Sequence, residues 1–357
     1  MRAGIRSSLS KHVKVDFLNP LSIIHIDTGR DWRGGQESLL TLARGLRARG
    51  HTQTLVCPIG SALAERAAAE QFPVSEHPPR IAGIVHAHSG RAQNLAYWAT
   101  LGWPVRRVVT RHVAFAPRNQ LVHRLKYKWT CDGIIAVSES VRRVLLDVGV
   151  PAEKIVTIHT GVVVPAALPT DQDRRAARER LGLGDGDFVV GHLGAFTAEK
   201  GQDVAAAAAL MLRETLPRAR VVLAGDGPLK DQVANASVIL PGFLADRAGF
   251  LAALDLFIMP SRSEAWGLSA LEAMAHGVPV IASDIGGLAE IVEPGSGWLI
   301  PPGDSAALAS AIVSAASDPE SLRAAGLKAR ERARLFSVDQ MVQQTEAFYR
   351  SNPPSQQ

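Results

Sequence analysis

Pro260-Ser261-Arg262-Ser263-Glu264-Ala265-Trp266-Gly267-Leu268-Ser269-Ala270-Leu271-Glu272-Ala273-Met274-Ala275-His276-Gly277-Val278-Pro279-Val280 reads as the end of a strand, a loop, a helix starting near Gly267, and the start of the next strand. The same alternation runs along most of the chain. Short β-branched runs predict strands at 22–27, 52–57, 84–88, 105–110, 133–137 and 155–159, separated by amphipathic helices such as 36–49 and 140–146. The rhythm pauses over 161–171, a small-residue stretch with Pro165 and Pro169, and then resumes. Strands are expected at 188–193, 220–224, 238–240, 256–260, 280–283 and 297–300, with helices at 202–215, 268–275 and 305–317. Strand–helix repetition implies an α/β chain of two doubly wound parallel sheets facing a cleft, with ligands outside the carboxyl ends of strands.

Bulk properties agree with two domains. A chain of 357 residues exceeds the size at which single cores usually stop growing. Its 46% hydrophobic and 20% charged content indicates a compact protein. The expected division is a basic N-terminal extension over 1–20, domains over 21–165 and 166–336, and a C-terminal segment, 337–357, whose helix packs back on the first domain before a frayed tail. Cys57 and Cys131 have neither the spacing of a zinc site nor that of a disulfide framework, which suits a reducing compartment. No apolar run is long enough to span a bilayer, and the first twenty residues lack the apolar centre of a signal peptide, so a cytoplasmic location is expected.

The net charge of +5 conceals an asymmetry. Residues 1–165 carry 22 Lys and Arg against 11 Asp and Glu, and the remainder carries 17 against 23. No acidic residue occurs between Glu76 and Asp132, where Arg106, Arg107, Arg111, Arg118, Arg124, Lys126 and Lys128 accumulate. Such a stretch attracts polyanions or anionic headgroups. A helix over 118–130, with Leu121, Val122, Leu125 and Trp129 among the cations, has the composition of one lying on a membrane surface. A generally basic surface with no partner is the alternative.

Chemistry concentrates in the opening stretch. The free N–H groups and positive dipole end of a helix starting at Gly267 can receive a diphosphate, with Glu264 just before it. Glu272 falls at the margin of the helix's apolar face, where a carboxylate needs donors, and ribose hydroxyls would serve. Taken alone, Glu264 is more simply ordinary helix-start chemistry, and Glu272 an edge residue with a Lys or Arg partner.

Two Glu seven residues apart in this loop-and-helix context resemble the signature of glycosyltransferase family 4. So do Ser283-Asp284-Ile285-Gly286-Gly287-Leu288-Ala289-Glu290-Ile291-Val292, Gly297-Trp298-Leu299-Ile300-Pro301-Pro302-Gly303-Asp304 and Ala224-Gly225-Asp226-Gly227-Pro228. Arg33-Gly34-Gly35-Gln36-Glu37, Arg49-Gly50-His51 and Ala136-Val137-Ser138-Glu139-Ser140-Val141-Arg142 are similar to segments of its amino-terminal half. The resemblance covers nearly everything after Leu21. It implies the GT-B fold, a donor-binding second domain and an acceptor-side first domain.

Carried over by position, the resemblance implies that Glu272 binds the donor ribose and Glu264 contacts the donor sugar. Gly267, Leu268 and Ser269 would offer N–H groups to the diphosphate, and Lys200 would neutralise charge on the leaving phosphate. The family often has an Arg five residues before that Lys; this chain has Ala195, with Arg33 and Arg262 as the candidates to replace its phosphate contact. Gly34 and Gly35, between the first strand and its helix, would let backbone approach the donor, although a plain tight turn explains a Gly pair equally well. His112, ending a strand, matches a family histidine at the donor sugar or its leaving phosphate, whereas His88 at a similar place reads as structural. Asp185-Gly186-Asp187 looks like a metal-binding DxD but occupies a turn before a strand and is read as loop; no metal and no cofactor are expected.

The implied reaction is retaining transfer from a UDP- or GDP-linked sugar to an acceptor hydroxyl, by front-face attack without a covalent nucleophile. With the basic stretch on the acceptor side, a lipid-linked or anionic glycan acceptor is expected, as in bacterial lipopolysaccharide or cell-envelope synthesis, with the protein peripheral on the inner face of the cytoplasmic membrane. Rival readings are a GT-B epimerase or phosphorylase and a nucleotide-sugar-binding protein without turnover. Dinucleotide and P-loop motifs are absent, and no nucleic-acid-binding module is recognisable.

Overall fold

The computed structural model describes residues 19–80, 83–114, 120–235 and 237–351, the side chains of 120 and 121 excepted. Arg118 and all but the last two residues of the expected 1–20 extension lie outside the described residues. The first sheet contains β1 (Ser22–Ile26), β2 (Thr52–Val56), β3 (Val74–Ser75), β4 (Gly83–Ala87), β5 (Val105–Arg111), β6 (Gly133–Ala136) and β7 (Ile155–Thr157). They pair in parallel in the order β3-β2-β1-β4-β5-β6-β7. The second contains β8 (Phe188–Leu193), β9 (Ala219–Ala224), β10 (Val238–Gly242), β11 (Leu256–Met259), β12 (Val280–Ser283) and β13 (Gly297–Ile300), ordered β10-β9-β8-β11-β12-β13.

Helices cover both faces, so the central strands are buried on both sides instead of alternating between core and solvent. Every residue of β8, β11 and β12 is buried. The helices dock by one side: Gly34–Ala48 buries Leu39, Leu40, Leu42, Ala43 and Leu46. Serines mark several helix starts. The hydroxyls of Ser61, Ser89 and Ser138 accept the N–H of Ala64, Ala92 and Val141, satisfying donors that a first turn leaves open. In each sheet the chain reverses its direction of travel beside the first strand, between β1 and β4 and between β8 and β11. Ligands of doubly wound sheets sit at that switch point.

The polypeptide passes between domains at two adjacent places. Val162 donates its N–H to Phe336 O at 2.9 Å and accepts from Val338 N at 3.2 Å. The C-terminal helix Val338–Ser351 then lies on the first domain, where Met341, Val342 and Tyr349 join Ile23, Leu42 and Leu46 in one core. Arg106 fastens it, and here an expectation is corrected. Instead of facing a partner, Arg106 is 2% exposed, donates Nη1 to the carbonyls of Phe348 and Tyr349, and places its guanidinium 4.7 Å from the Phe348 ring centroid.

Candidate active site

The loops after β8 and β11 build one wall. Beyond β8 a single 3-10 turn, Ala198–Lys200, carries Lys200. Beyond β11 comes the loop carrying Glu264. Backbone bonds join them, with Arg262 N–H and Ser263 N–H both donated to Glu199 O, at 2.8 and 3.3 Å. Gly201, at φ 68°, closes the joint, since a Cβ there would stand 2.0 Å from Pro260 O. The seam brings Lys200 Nζ to 2.5 Å from Glu264 Oε2, with side chains 26% and 11% exposed.

The helix Leu268–Ala275 starts directly beyond Glu264. Its N-cap, Gly267, has φ 100°, and a Cβ would lie 2.5 Å from Leu288 Cδ2, so a side chain would be opposed by backbone and neighbour alike. Gly267 supplies no side-chain cap, and the first turn closes with Leu271 N–H on Gly267 O at 3.0 Å. The N–H groups of Leu268 and Ser269 therefore precede the helical ladder and point their partial positive charge outward. Arg262 does not join them. Its Nη1 and Nη2 sit 2.7 Å from the two carboxylate oxygens of Asp203, a bidentate pair that turns it from the proposed phosphate position. Arg33, the other substitute, is exposed at the start of Gly34–Ala48 and pairs only loosely with Asp31, at 3.5 Å.

Glu272 lies just over one turn into its helix and has the cationic partner that a half-buried carboxylate requires. Arg247 Nη2 donates to Glu272 Oε2, and Arg247 Nη1 is 3.8 Å from Glu37 Oε2 in the facing domain. Burial pushes the Glu272 carboxyl up to about 7, with Arg247 opposing and the Glu37 charge adding to the rise. Sequence reasoning missed Arg247, which sits beyond β10 at the start of the helix Arg247–Ala253.

The opposite wall comes from the first domain. Gly34 and Gly35 open the helix after β1, and a Cβ on Gly35 would stand 3.9 Å from the His112 ring, just past β5. Burial drives the His112 imidazole down to about 4, with only Asp27 opposing, so it is neutral near pH 7. Its Nε2 is buried and has no hydrogen-bond partner among the described residues. Behind it, His88 stacks at 6.2 Å between ring centroids and belongs to a chain of neutral rings. Gln53 Nε2 donates to Ala43 O, which leaves Gln53 Oε1 to accept from His25 Nε2 at 3.0 Å. His25 Nδ1 is then the acceptor for His88 Nε2 at 3.1 Å. His86 bridges Tyr349 Oη and Thr110 Oγ1, each at 2.6 Å. The nitrogens of His25, His86 and His88 lie within 4.8 Å of one another, a spacing that suits a cation, but both nitrogens of His25 and of His86 already have protein partners.

The walls meet beside the site. Trp266 donates Nε1 to Thr160 O at 2.9 Å and stacks on His159 at 4.5 Å. Glu290 reaches across to accept the N–H of Glu139 and Ser140, at 2.9 and 2.8 Å, at the start of the helix Glu139–Asp147. Burial raises the Glu290 carboxyl, but His159 and these two N–H donors outweigh it and hold the group below its ordinary value.

The basic stretch divides. Arg111 is 8% exposed and donates Nη1 to Tyr127 Oη at 2.9 Å, and Arg107 turns its guanidinium onto Thr100, so with Arg106 these strand residues are structural and not an acceptor surface. They stand in a sheet buried on both faces. Lys126 donates to Gly90 O at 2.6 Å, whereas Arg124 and Lys128 are exposed. Asp185-Gly186-Asp187 is a turn, with Asp187 paired to Arg220 at 3.1 Å.

Two parallel sheets facing a cleft, each with its loops at the carboxyl ends, define the GT-B class. The fold is that of Alr3699/HepE from Anabaena, whose structure in complex with UDP-glucose superposes with a TM-score of 0.83 at 23% identity, over 93% of this chain and 100% of that one. Residues 82–164 match glycosyltransferase family 4, and residues 187–318 match glycosyl transferases group 1. D-inositol 3-phosphate glycosyltransferase 1 of Catenulispora acidiphila is 31% identical over 302 residues, 75% of this chain and 72% of the relative. The putative glycosyltransferase EpsD of Bacillus subtilis is 33% identical over 190 residues, 51% of this chain and 49% of the relative. The matches span from about half to nearly three quarters of the length of these curated relatives. The chain belongs to glycosyltransferase family 4.

Proposed function

We propose that the protein transfers a sugar from a nucleotide diphosphate sugar to an acceptor hydroxyl, retaining configuration at the anomeric carbon. The observation carrying this reading is the Lys200–Glu264 pair beside the uncapped helix start at Gly267. As the bond to the leaving phosphate stretches, negative charge grows on the diphosphate and positive charge on the sugar. Lys200 and the N–H groups of Leu268 and Ser269 meet the first, and Glu264 meets the second. Protein groups, in this reading, do the work of a divalent ion. The leaving phosphate takes the proton of the attacking hydroxyl, and no residue forms a covalent intermediate. Neutral His112 serves as a hydrogen-bond partner to a sugar hydroxyl or phosphate, not as a cation. Glu272 holds the ribose, and Gly34 and Gly35 let the facing backbone approach the donor. Thermal-shift screening of UDP-, GDP- and ADP-sugars, followed by product analysis with an acceptor mixture, tests the reading. We expect stabilisation by UDP- or GDP-sugars and an α-linked product from an α-linked donor; an inverted product sinks the mechanism.

For the acceptor, the reading is a lipid-linked or anionic glycan presented at a bacterial membrane surface, as in lipopolysaccharide or envelope synthesis. No helix among the described residues is long and apolar enough to cross a membrane. Instead the packed helices Gly90–Ala99 and Gln120–Thr130 expose Trp98 (71%) and Trp129 (68%) beside Leu125, Arg124 and Lys128. Aromatic side chains with flanking cations are suited to an anionic interface. Flotation is expected with phosphatidylglycerol-containing vesicles, and to weaken with phosphatidylcholine alone or in a Trp98→Ala/Trp129→Ala variant. Flotation indifferent to anionic lipid removes the membrane from the proposal.

A further inference from the structure

Arg247 belongs to neither the Lys200–Glu264 pair nor the helix start, yet it stands between the two domains. Its Nη2 is the only donor to the Glu272 carboxylate among the described residues, at Oε2, which leaves the lone pairs of Oε1 open. Its Nη1 faces Glu37 Oε2 at 3.8 Å, and Glu37 is itself fixed by Trp32 Nε1 at 3.0 Å. The Arg247 Nε is buried and has no hydrogen-bond partner among the described residues. Arg106 Nε is unmatched in the same way, so the open donor alone marks no site; at Arg247 it sits on a guanidinium facing a carboxylate whose Oε1 is also open, and a ligand hydroxyl there would recover the cost of about 1–3 kcal/mol that a buried unpaired N–H carries. Glu272 thus offers an acceptor, and the adjacent guanidinium offers a donor. Each hydroxyl of a vicinal diol carries both functions and matches that pair.

We propose that Arg247 is a positioning residue of the donor site: it holds Glu272 Oε2 so that Oε1 accepts from the ribose diol, turns Nε to a diol oxygen, and through Glu37 couples this grip to the facing domain. The proposal rests on Glu272 being the ribose ligand. It differs from a static salt bridge in requiring that the residue sense the 2′-hydroxyl. It also requires that a substitution in the first domain alter affinity in the second.

Calorimetric titration of UDP, GDP and ADP selects the diphosphate that binds, and that nucleotide is compared with its 2′-deoxy form. Arg247→Met should weaken the ribonucleotide about tenfold, the worth of one hydrogen bond to a charged group, and leave the deoxynucleotide nearly unchanged. Arg247→Lys should recover part of the preference, and Glu37→Gln should weaken binding severalfold in the parent but not in the Arg247→Met background. Melting curves of each variant confirm folding. An unchanged ribo-to-deoxy ratio in Arg247→Met overturns the proposal, and additive effects of Arg247→Met and Glu37→Gln overturn the coupling. Glu272→Ala separates the two readings. If it too leaves the ratio unchanged, the assignment of Glu272 to ribose fails; if it abolishes the preference while Arg247→Met does not, only the role of Arg247 fails. Binding of none of the three diphosphates overturns both.

Discussion

Lys200→Ala should lower kcat for sugar transfer by about 10² to 10³-fold, the effect of removing one preorganised charge partner from a transition state, while raising the donor KM far less. The asymmetry follows from when the charge develops. In the proposed site the ground-state diphosphate would already be held by backbone N–H groups and by Glu272 through ribose, whereas the ammonium would be needed most as the sugar–phosphate bond breaks. Lys200 is held for that moment by the Glu264 carboxylate, 2.5 Å away, and by a loop joined to the Glu264 loop through the Glu199 carbonyl at 2.8 Å. Glu264→Gln is the informative companion. It keeps the shape but removes the negative charge from beside the sugar, so kcat should fall again while nucleoside diphosphate affinity is nearly maintained. Steady-state kinetics with a saturating acceptor reads both, and a Lys200→Ala enzyme within about threefold of the parent kcat removes Lys200 from the chemistry.

Much of the fold was legible because both sheets are buried on two faces, and burial writes itself as uninterrupted β-branched runs. The segments expected at 188–193, 280–283 and 297–300 coincide with β8, β12 and β13, and the helix at 268–275 has the expected bounds. Several strands end one or two residues early, as at Asp27 and His159, where the chain leaves the sheet toward the cleft. Val74–Ser75 was not legible, since two residues carry no periodicity. The basic stretch shows a different limit. A charge count has a sign but no direction, and Arg106 and Arg107 lie within a segment expected to be a strand of a two-face-buried sheet. That expectation already argued against a surface role. Arg247 left no local mark at all. It lies 25 residues before Glu272 on another helix, and its only trace was the rule that a half-buried carboxylate needs a donor.

Acidification should unfold the first domain well before an ordinary protein of this size, because its core holds neutral imidazoles. His25, His86 and His88 lie buried side by side, and His192 is buried in the second domain. Burial lowers His25 and His192 to about 4, and lowers His86 and His88 well below their ordinary value, with neighbouring imidazoles adding to the effect. An unfolded imidazole takes its proton near pH 6.5, so below that pH the unfolded chain binds more protons than the folded one. Stability is therefore fully present above about pH 6.5 and is lost as pH falls toward 4, by about 3 kcal/mol for each imidazole held at 4. Glu272 works in the opposite sense. Held at about 7, its carboxyl gains the proton in the folded state first, so between pH 7 and about 4.5 it offsets roughly one imidazole. That offset belongs to the second domain and leaves His25, His86 and His88 uncompensated in the first. Calorimetry from pH 8 to 4.5 should thus show the transitions separating, the first domain's Tm falling by about 2–4 °C for each kcal/mol lost. His25→Gln should flatten the pH dependence even if it lowers stability at pH 8. A Tm that holds constant from pH 7.5 to 5 would mean that these rings are solvated or already charged in the folded protein.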